Sequence, residues 1–209
     1  MKNTKKDATS KTILFLGNSL TAGYGVAVPL AFPNLIQHKI DSLGWQFRVV
    51  NAGLSGETSA GGLRRVDWLL KQKIDILVLA LGGNDALRGI DLDLTKENLQ
   101  GIIDKVRKKY PRVKIVLAGM QMPPNWGAAY TKQFHDLYPE LAAANDCTLI
   151  PFLLQGVGGV PELNLPDRIH PNTAGHRIVA QNVWKVLLPV LDDMRRQERD
   201  GPEGQDVGN

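Results

Sequence analysis

Five short apolar runs alternate with five longer segments of helical periodicity along this chain of 209 residues. Most of these runs are unbroken, as in strands that are covered on both faces of a sheet. Parallel strands need crossover connections, which helices supply. The pattern therefore predicts an α/β fold in which one five-stranded parallel sheet lies between two layers of helices. The predicted strands are Thr12–Leu16, Phe47–Val50, Asp75–Leu81, Val113–Ala118 and Thr148–Phe152, and the predicted helices are residues 30–43, 58–72, 95–109, 128–145 and 173–191.

Both ends of the chain are polar. Residues 1–11 are rich in lysine, and residues 192–209 combine many charges with helix breakers. We therefore expect a single folded domain over residues 12–191, with an N-terminal tail at 1–11 and a C-terminal tail at 192–209. The formal net charge is +4, and the basic residues do not form a stripe interleaved with aromatic residues. We accordingly expect no nucleic-acid partner.

The single cysteine, Cys147, excludes an internal disulfide and a cysteine-based zinc cage. No apolar run approaches the roughly 20 residues of a membrane helix, so we expect no membrane span. The lysine-rich start lacks the apolar segment of a secretory signal. As written, the chain is predicted to be cytoplasmic, or periplasmic or secreted if a leader has been removed. No obligate protein partner is indicated.

Polar residues and glycines follow the predicted strands, at the edge of the sheet where α/β proteins bind ligands. Ser19 follows the first strand at a strand-to-helix turn, which lifts a hydroxyl above the sheet. His170 is the best candidate for its base, and Asp167, three residues earlier, can hold the other imidazole nitrogen. Gly53 offers a backbone amide that a substrate can approach closely, and Asn84 offers two side-chain donors. Together these groups predict a site for acyl transfer.

Four sequence blocks carry a resemblance to a known family. They are GNSLTAGYG at 17–25, VVNAGLSGETSAGGLRR at 49–65, LALGGNDALRG at 79–89 and DRIHPN at 167–172. In this order and spacing they resemble the SGNH hydrolases, also called GDSL-type esterases and lipases. Within that family the chain is similar to the bacterial branch of arylesterases, acyl-CoA thioesterases and lysophospholipases. The resemblance covers residues 12–191.

The resemblance implies a flavodoxin-like α/β/α sandwich and a serine esterase that cleaves small to medium acyl esters or thioesters through an acyl-enzyme. It implies Ser19 as nucleophile, His170 as base and Asp167 as its orienting carboxylate. The implied oxyanion hole consists of the Ser19 amide, the Gly53 amide and the Asn84 side chain. No metal and no cofactor are implied, and the only partner is the small-molecule substrate.

The segment MQMPPNWG at 120–127 follows the fourth strand at the same edge. Flexible methionine beside proline and tryptophan suits an acyl or aryl pocket, so we expect Met122, Pro123 and Trp126 to bind substrate.

One residue departs from the family pattern. The first block usually reads Gly-Asp-Ser, whereas residue 18 here is asparagine. Asparagine keeps the shape and one acceptor oxygen but loses the charge.

Two alternatives remain open from the sequence, a carbohydrate acetylesterase of the same family and a non-catalytic binding module with the same fold. A phosphate-binding protein is disfavoured because no GxxxxGK[ST] run is present.

Overall fold

The structure is a computed structural model that describes residues 10–123 and 126–199. Its centre is a sheet of five parallel strands in the order β2-β1-β3-β4-β5. The predicted parallel sheet is therefore confirmed, and its order is that of flavodoxin-like folds. The strands are β1 (Lys11–Gly17), β2 (Phe47–Gly53), β3 (Ile76–Ala80), β4 (Lys114–Ala118) and β5 (Thr148–Ile150).

Helices occupy the connections between the strands, as right-handed parallel crossovers require. The helix α2 packs against α7 and α3 packs against α5, which gives a helical layer on each face of the sheet. Two short 3-10 turns, at Val28–Leu30 and Pro161–Leu163, complete the connections. The helices are α1 (Ser19–Ala22), α2 (Phe32–Ser42), α3 (Ser59–Leu69), α4 (Gly83–Leu87), α5 (Leu92–Lys109), α6 (Ala128–Ala144) and α7 (Thr173–Arg199).

The core lies around the two central strands. Every residue of β3 is buried, as are Ile13 to Leu16 of β1, because helices cover both faces of these strands. The edge strand β2 is less buried, and Val49 and Val50 are only partly covered. The unbroken apolar pattern therefore identifies the central strands of the sheet. The carboxyl ends of these strands lie together at one edge of the sheet.

The regular structure extends past the predicted domain boundaries of residues 12 and 191. The strand β1 begins at Lys11, and α7 continues to Arg199 instead of ending at residue 191. The side chain of Met194 is 8% exposed, and its carbonyl accepts a hydrogen bond from Lys11 Nζ at 3.2 Å. The guanidinium of Arg195 lies 4.1 Å from the ring centre of Trp45. These contacts keep the charged end of α7 helical, although its composition alone is typical of a tail. The rest of the predicted tails, residues 1–9 and 200–209, lies outside the described residues.

Helix starts follow the capping side chains. Thr58 caps α3 by accepting a hydrogen bond from the amide of Gly61, as the sequence indicates. The helix α5 begins three residues before the predicted Thr95, because Asp91 caps it by accepting from the Asp93 amide at 2.7 Å. Within the described ranges, no helix combines the length and apolar composition that crossing a membrane requires.

Candidate active site at the carboxyl ends of the strands

Ser19 lies immediately after β1, at the first position of α1. The preceding residue, Asn18, is the N-cap, and its Oδ1 accepts a hydrogen bond from the Leu20 amide at 3.0 Å. A Cβ at Gly17 would lie 2.0 Å from Thr21 Oγ1, so the chain can enter this turn only through a glycine. The turn directs the Ser19 hydroxyl out of the sheet, and the residue remains 8% exposed.

His170 reaches Ser19 from the far end of the chain. Its Nε2 lies 2.9 Å from Ser19 Oγ, and its Nδ1 lies 2.8 Å from Asp167 Oδ2. The three residues therefore form one hydrogen-bonded line from carboxylate to imidazole to hydroxyl, in the arrangement of a serine nucleophile with its base. The structure thus brings together the three side chains that the sequence selects.

The turn that carries Asp167 and His170 fixes the carboxylate with backbone amides. Asp167 Oδ1 accepts hydrogen bonds from the amides of Ile169 at 2.9 Å and His170 at 3.0 Å. The His170 amide, the Ile169 amide and the imidazole together lower the pKa of the Asp167 carboxyl to about 2, although desolvation opposes them. Asp167 is therefore ionised at neutral pH. Between these residues, Arg168 holds a left-handed backbone with φ of +59°, a conformation unusual for a residue other than glycine.

Asn84 lies on the first turn of α4, next to the nucleophile turn. A Cβ at Gly83 would stand 3.7 Å from Asn18 Nδ2, which measures how closely the two turns approach. Asn84 Nδ2 donates a hydrogen bond to the Glu57 carbonyl at 2.9 Å, and an amide nitrogen carries a second hydrogen. One donor of Asn84 therefore stays available to a ligand while the other holds the loop after β2.

Asp85 ties the same two loops together from inside. Its carboxylate is fully buried and accepts hydrogen bonds from the amide of Ser59 at 2.9 Å and from the Ser59 hydroxyl. Asn98 Nδ2 in turn donates to Ser59 Oγ at 3.1 Å. This network fixes α4 against the N-terminus of α3, so Asp85 supports the position of Asn84 from below.

The structure does not support the prediction for Gly53. Its amide donates a hydrogen bond to Asn51 Oδ1 at 2.9 Å, so that donor is already used. A Cβ at this position would lie 2.2 Å from the Ala22 nitrogen and 2.6 Å from the Thr21 carbonyl carbon. Gly53 is therefore required for close packing of β2 against α1 and presents no free amide to a substrate.

Gly56, three residues further along the loop, has the property expected of Gly53. It is exposed and has a left-handed φ of +78°, which favours glycine. Among the described residues, its amide donates no hydrogen bond. Its carbonyl accepts from Arg88 Nη2 at 3.0 Å, which links it to α4. The sequence shows several glycines in this loop, and only the hydrogen-bond partners distinguish them.

The three predicted pocket residues differ in exposure. Met122 is 8% exposed and packs in the core, whereas Pro123 is exposed and Trp126 is 39% exposed. The ring of Trp126 stacks on Tyr130, with 6.2 Å between the ring centres. Met120, which opens the same segment but is not one of the three predicted residues, packs near Gly83: a Cβ there would lie 3.6 Å from its methyl group. Only Pro123 and Trp126 of the three predicted residues therefore present surface to a ligand.

A hydrogen-bonded Ser–His–Asp line at the carboxyl ends of a parallel sheet, with amide donors on neighbouring loops, defines the class of α/β serine hydrolases. The model of the GDSL-like Lipase/Acylhydrolase family matches residues 15–178. The chain belongs to this family, whose members are also called SGNH hydrolases, and it is an ester hydrolase of the type that the sequence predicts.

Known relatives cover almost the whole chain. Esterase TesA of Pseudomonas aeruginosa is 39% identical over 187 residues, which are 89% of this chain and 92% of the relative. Thioesterase 1/protease 1/lysophospholipase L1 of Escherichia coli (strain K12) is 38% identical over 192 residues, 90% of this chain and 89% of the relative. A crystal structure of the psychrotrophic esterase EstA from Pseudoalteromonas sp., inhibited by monoethylphosphonate, superposes with a TM-score of 0.82 at 30% identity. That similarity covers 88% of this chain and all of the EstA chain.

Proposed function

We propose that the chain cleaves small to medium acyl esters or thioesters through an acyl-enzyme on Ser19. The observation that carries this proposal is the line Asp167–His170–Ser19, whose two side-chain distances are 2.8 Å and 2.9 Å. A serine hydroxyl is a weak nucleophile by itself and becomes reactive when a positioned base accepts its proton.

In the proposed reaction, Ser19 Oγ attacks the acyl carbon while its proton passes to His170 Nε2. The ionised Asp167 accepts from His170 Nδ1–H, which fixes the tautomer and stabilises the imidazolium that forms. Collapse of the tetrahedral intermediate breaks the bond to the leaving oxygen or sulfur, which takes the proton from Nε2. Water then attacks the acyl group by the same route, releasing the acid and restoring Ser19.

The negative charge that develops on the acyl oxygen needs donors in place before the reaction. We propose the Ser19 amide, the second hydrogen of Asn84 Nδ2 and the Gly56 amide, which replaces that of Gly53. The Ser19 amide has no acceptor among the described residues, as expected at the first position of a helix. Arg88 and Asn84 both bind backbone carbonyls of the loop that holds Gly56, so this loop and α4, which carry two of the three donors, are held together.

The surroundings of Ser19 support apolar acyl or aryl groups over sugars as substrates. The segments that follow the strands, including α4, carry several large apolar side chains that are exposed to solvent, whereas a carbohydrate site needs polar side chains. These side chains are Tyr24, Leu54, Leu87, Trp126 and Ile169. The names of the relatives from Pseudomonas and Escherichia, an esterase and a thioesterase/lysophospholipase, agree with this substrate class.

A fluorophosphonate that reacts with activated serines tests the proposal directly. We expect stoichiometric labelling of the wild type, loss of labelling in Ser19→Ala, and unchanged labelling in Ser55→Ala. Ser55 is a suitable control because it is exposed on a neighbouring loop and, within the described part of the chain, has no histidine partner. Labelling that persists in Ser19→Ala, or no labelling of the wild type, would overturn the assignment.

A series of nitrophenyl esters and acyl-CoAs of increasing chain length, run on the same variants, then identifies the substrate class. Turnover that depends on Ser19 and prefers acyl chains longer than acetyl supports the proposal. A preference for acetylated sugars would favour the carbohydrate esterase, and binding without turnover would favour the non-catalytic module.

A further inference from the structure

The ring of Tyr24 lies against the ring of His170, a contact that the reaction described above does not use. The two ring centres are 4.6 Å apart, and the planes are tilted by 45°. Tyr24 is 52% exposed, so burial does not explain why it takes this position. Its amide donates to the Ser19 carbonyl at 3.0 Å, which fixes its backbone to the nucleophile turn.

Two glycines place the ring. Gly23 and Gly25, on either side of Tyr24, both have left-handed backbone conformations, with φ of +79° and +77°. A Cβ at Gly23 would lie 2.5 Å from the Ala31 side chain, and one at Gly25 would lie 2.4 Å from Leu165. This local geometry turns the chain so that an exposed aromatic side chain lies over the histidine turn.

Tyr24 contacts the His170 ring apart from the two hydrogen bonds of its nitrogens. Asp167 faces Nδ1 and Ser19 faces Nε2, so both nitrogens are occupied in the ring plane. The nearby His176 carries no positive charge at neutral pH, because burial lowers its pKa to about 4. Arg168, a cation in the same turn, is exposed.

An aromatic face attracts a cation that lies within about 6 Å of its centre. In the proposed hydrolysis His170 is neutral before the reaction and becomes an imidazolium in the transition state. A contact that strengthens when this charge appears lowers the barrier, whereas a contact of constant strength does not. The ring of Tyr24 is in the right place for the first kind of contact.

We propose that Tyr24 is a positioning residue that holds the His170 ring and stabilises its positive charge as the serine proton arrives. The proposal rests on the function proposed above, since it needs His170 to act as the base. The aromatic ring is the active part, and the phenolic hydroxyl is not required.

Replacing the ring tests this role. In Tyr24→Leu we expect kcat/KM at its pH plateau to fall about two- to fivefold, roughly 0.4 to 1 kcal/mol, chiefly through kcat. In Tyr24→Phe the ring remains, so we expect a smaller fall than in Tyr24→Leu. Trp68→Leu removes an exposed aromatic side chain from α3, outside the site, and serves as the matched control.

The pH profile distinguishes this role from a contact with substrate or with the fold. At pH values below the acidic limb, His170 of the free enzyme is already an imidazolium. Tyr24 then stabilises the free enzyme and the transition state equally, so its effect on kcat/KM cancels. We therefore expect the kcat/KM profiles of wild type and Tyr24→Leu to converge at low pH. The acidic limb of the variant should lie about 0.3 to 0.7 pH unit lower, because this shift is the same two- to fivefold factor on the logarithmic pH scale.

The measurements separate the possible failures. Profiles that differ by a constant factor at every pH, a pure rise in KM, or equal losses in Phe and Leu variants would overturn the role of Tyr24. If Ser19→Ala retained wild-type turnover, the proposed function itself would fail. Thermal unfolding of each variant identifies a loss of activity that comes from misfolding. Tyr24→Trp provides a second variant that keeps an aromatic ring, and it must be more active than Tyr24→Leu.

Discussion

His176 makes the stability of this protein depend on pH in a way that one substitution can remove. The side chain is 1% exposed at the start of α7, and its ring stacks on Phe32 with 6.3 Å between ring centres. Its Nδ1 accepts a hydrogen bond from the Phe32 amide at 3.3 Å, and Nε2 has no partner among the described residues. Protonation would place an N–H against an N–H and leave a charge in the core.

The size of the effect follows from the pKa. Burial is the main cause that lowers the pKa of His176 from 6.5 to about 4, and the charge of His170 adds to it. Between these values the unfolded chain binds more protons than the folded one, so stability falls as the pH falls. The contribution is complete above pH 6.5. By linkage, about 2 kcal/mol is lost by pH 5 and about 3 kcal/mol by pH 4.

Urea unfolding of wild type and His176→Gln at several pH values between about 7.5 and 4 measures this contribution. Glutamine keeps an acceptor for the Phe32 amide but does not titrate in this range. We expect the variant to be less stable at neutral pH and to lose about 3 kcal/mol less than wild type on acidification. Titrations of groups common to both proteins, including Asp167, cancel in this comparison.

The matched control is His38→Gln, which removes an exposed histidine from α2. It should leave the pH dependence as in wild type. If His176→Gln and wild type lost stability in parallel, the native protein would be holding this histidine in a solvated or charged form, and the reasoning from burial would be refuted.

Two further substitutions test the candidate site. Asn84→Ala should lower kcat on the order of 10²-fold with little change in KM, because an oxyanion donor acts in the transition state. Steady-state kinetics that showed only a higher KM would instead assign Asn84 to ground-state binding. Asn18→Asp should change kcat/KM by less than about tenfold, because either side chain can accept from the Leu20 amide. The added charge near His170 favours the imidazolium, so the acidic limb of the pH profile should move to higher pH. A limb that stays in place would show that residue 18 has no electrostatic interaction with His170.

The sequence predicts most of the fold because the signals that form it are local. Unbroken apolar runs identify β1, β3 and β4, and the capping side chain of Thr58 marks the start of α3. The end of α7 could not be predicted, since Met194 and Arg195 are held by residues from the other end of the chain and from the α2–β2 loop. A charged segment remains helical there because of tertiary contacts, which composition does not report.

The candidate site shows a similar division. Ser19, His170 and Asp167 could be selected because each follows a strand and each has a distinctive chemistry. The glycine of the proposed oxyanion hole could not, because the sequence does not show that Asn51 Oδ1 binds the amide of Gly53 and that the amide of Gly56 is left without an acceptor. Tyr24 could not be selected either, because an exposed tyrosine gives no sequence signal and its proposed role depends on the contact of its ring with His170.

The hydrogen bond between Ser19 and His170 closes a loop of 151 residues. In the proposed mechanism the nucleophile lies in the turn that follows β1, and its base lies in the turn that precedes α7. A nascent or truncated chain that stops before His170 has the serine without its base, so hydrolysis can begin only after the sheet is complete. Recovery of esterase turnover after dilution from denaturant therefore reports the long-range contact between these two turns, whereas helix signals report local steps.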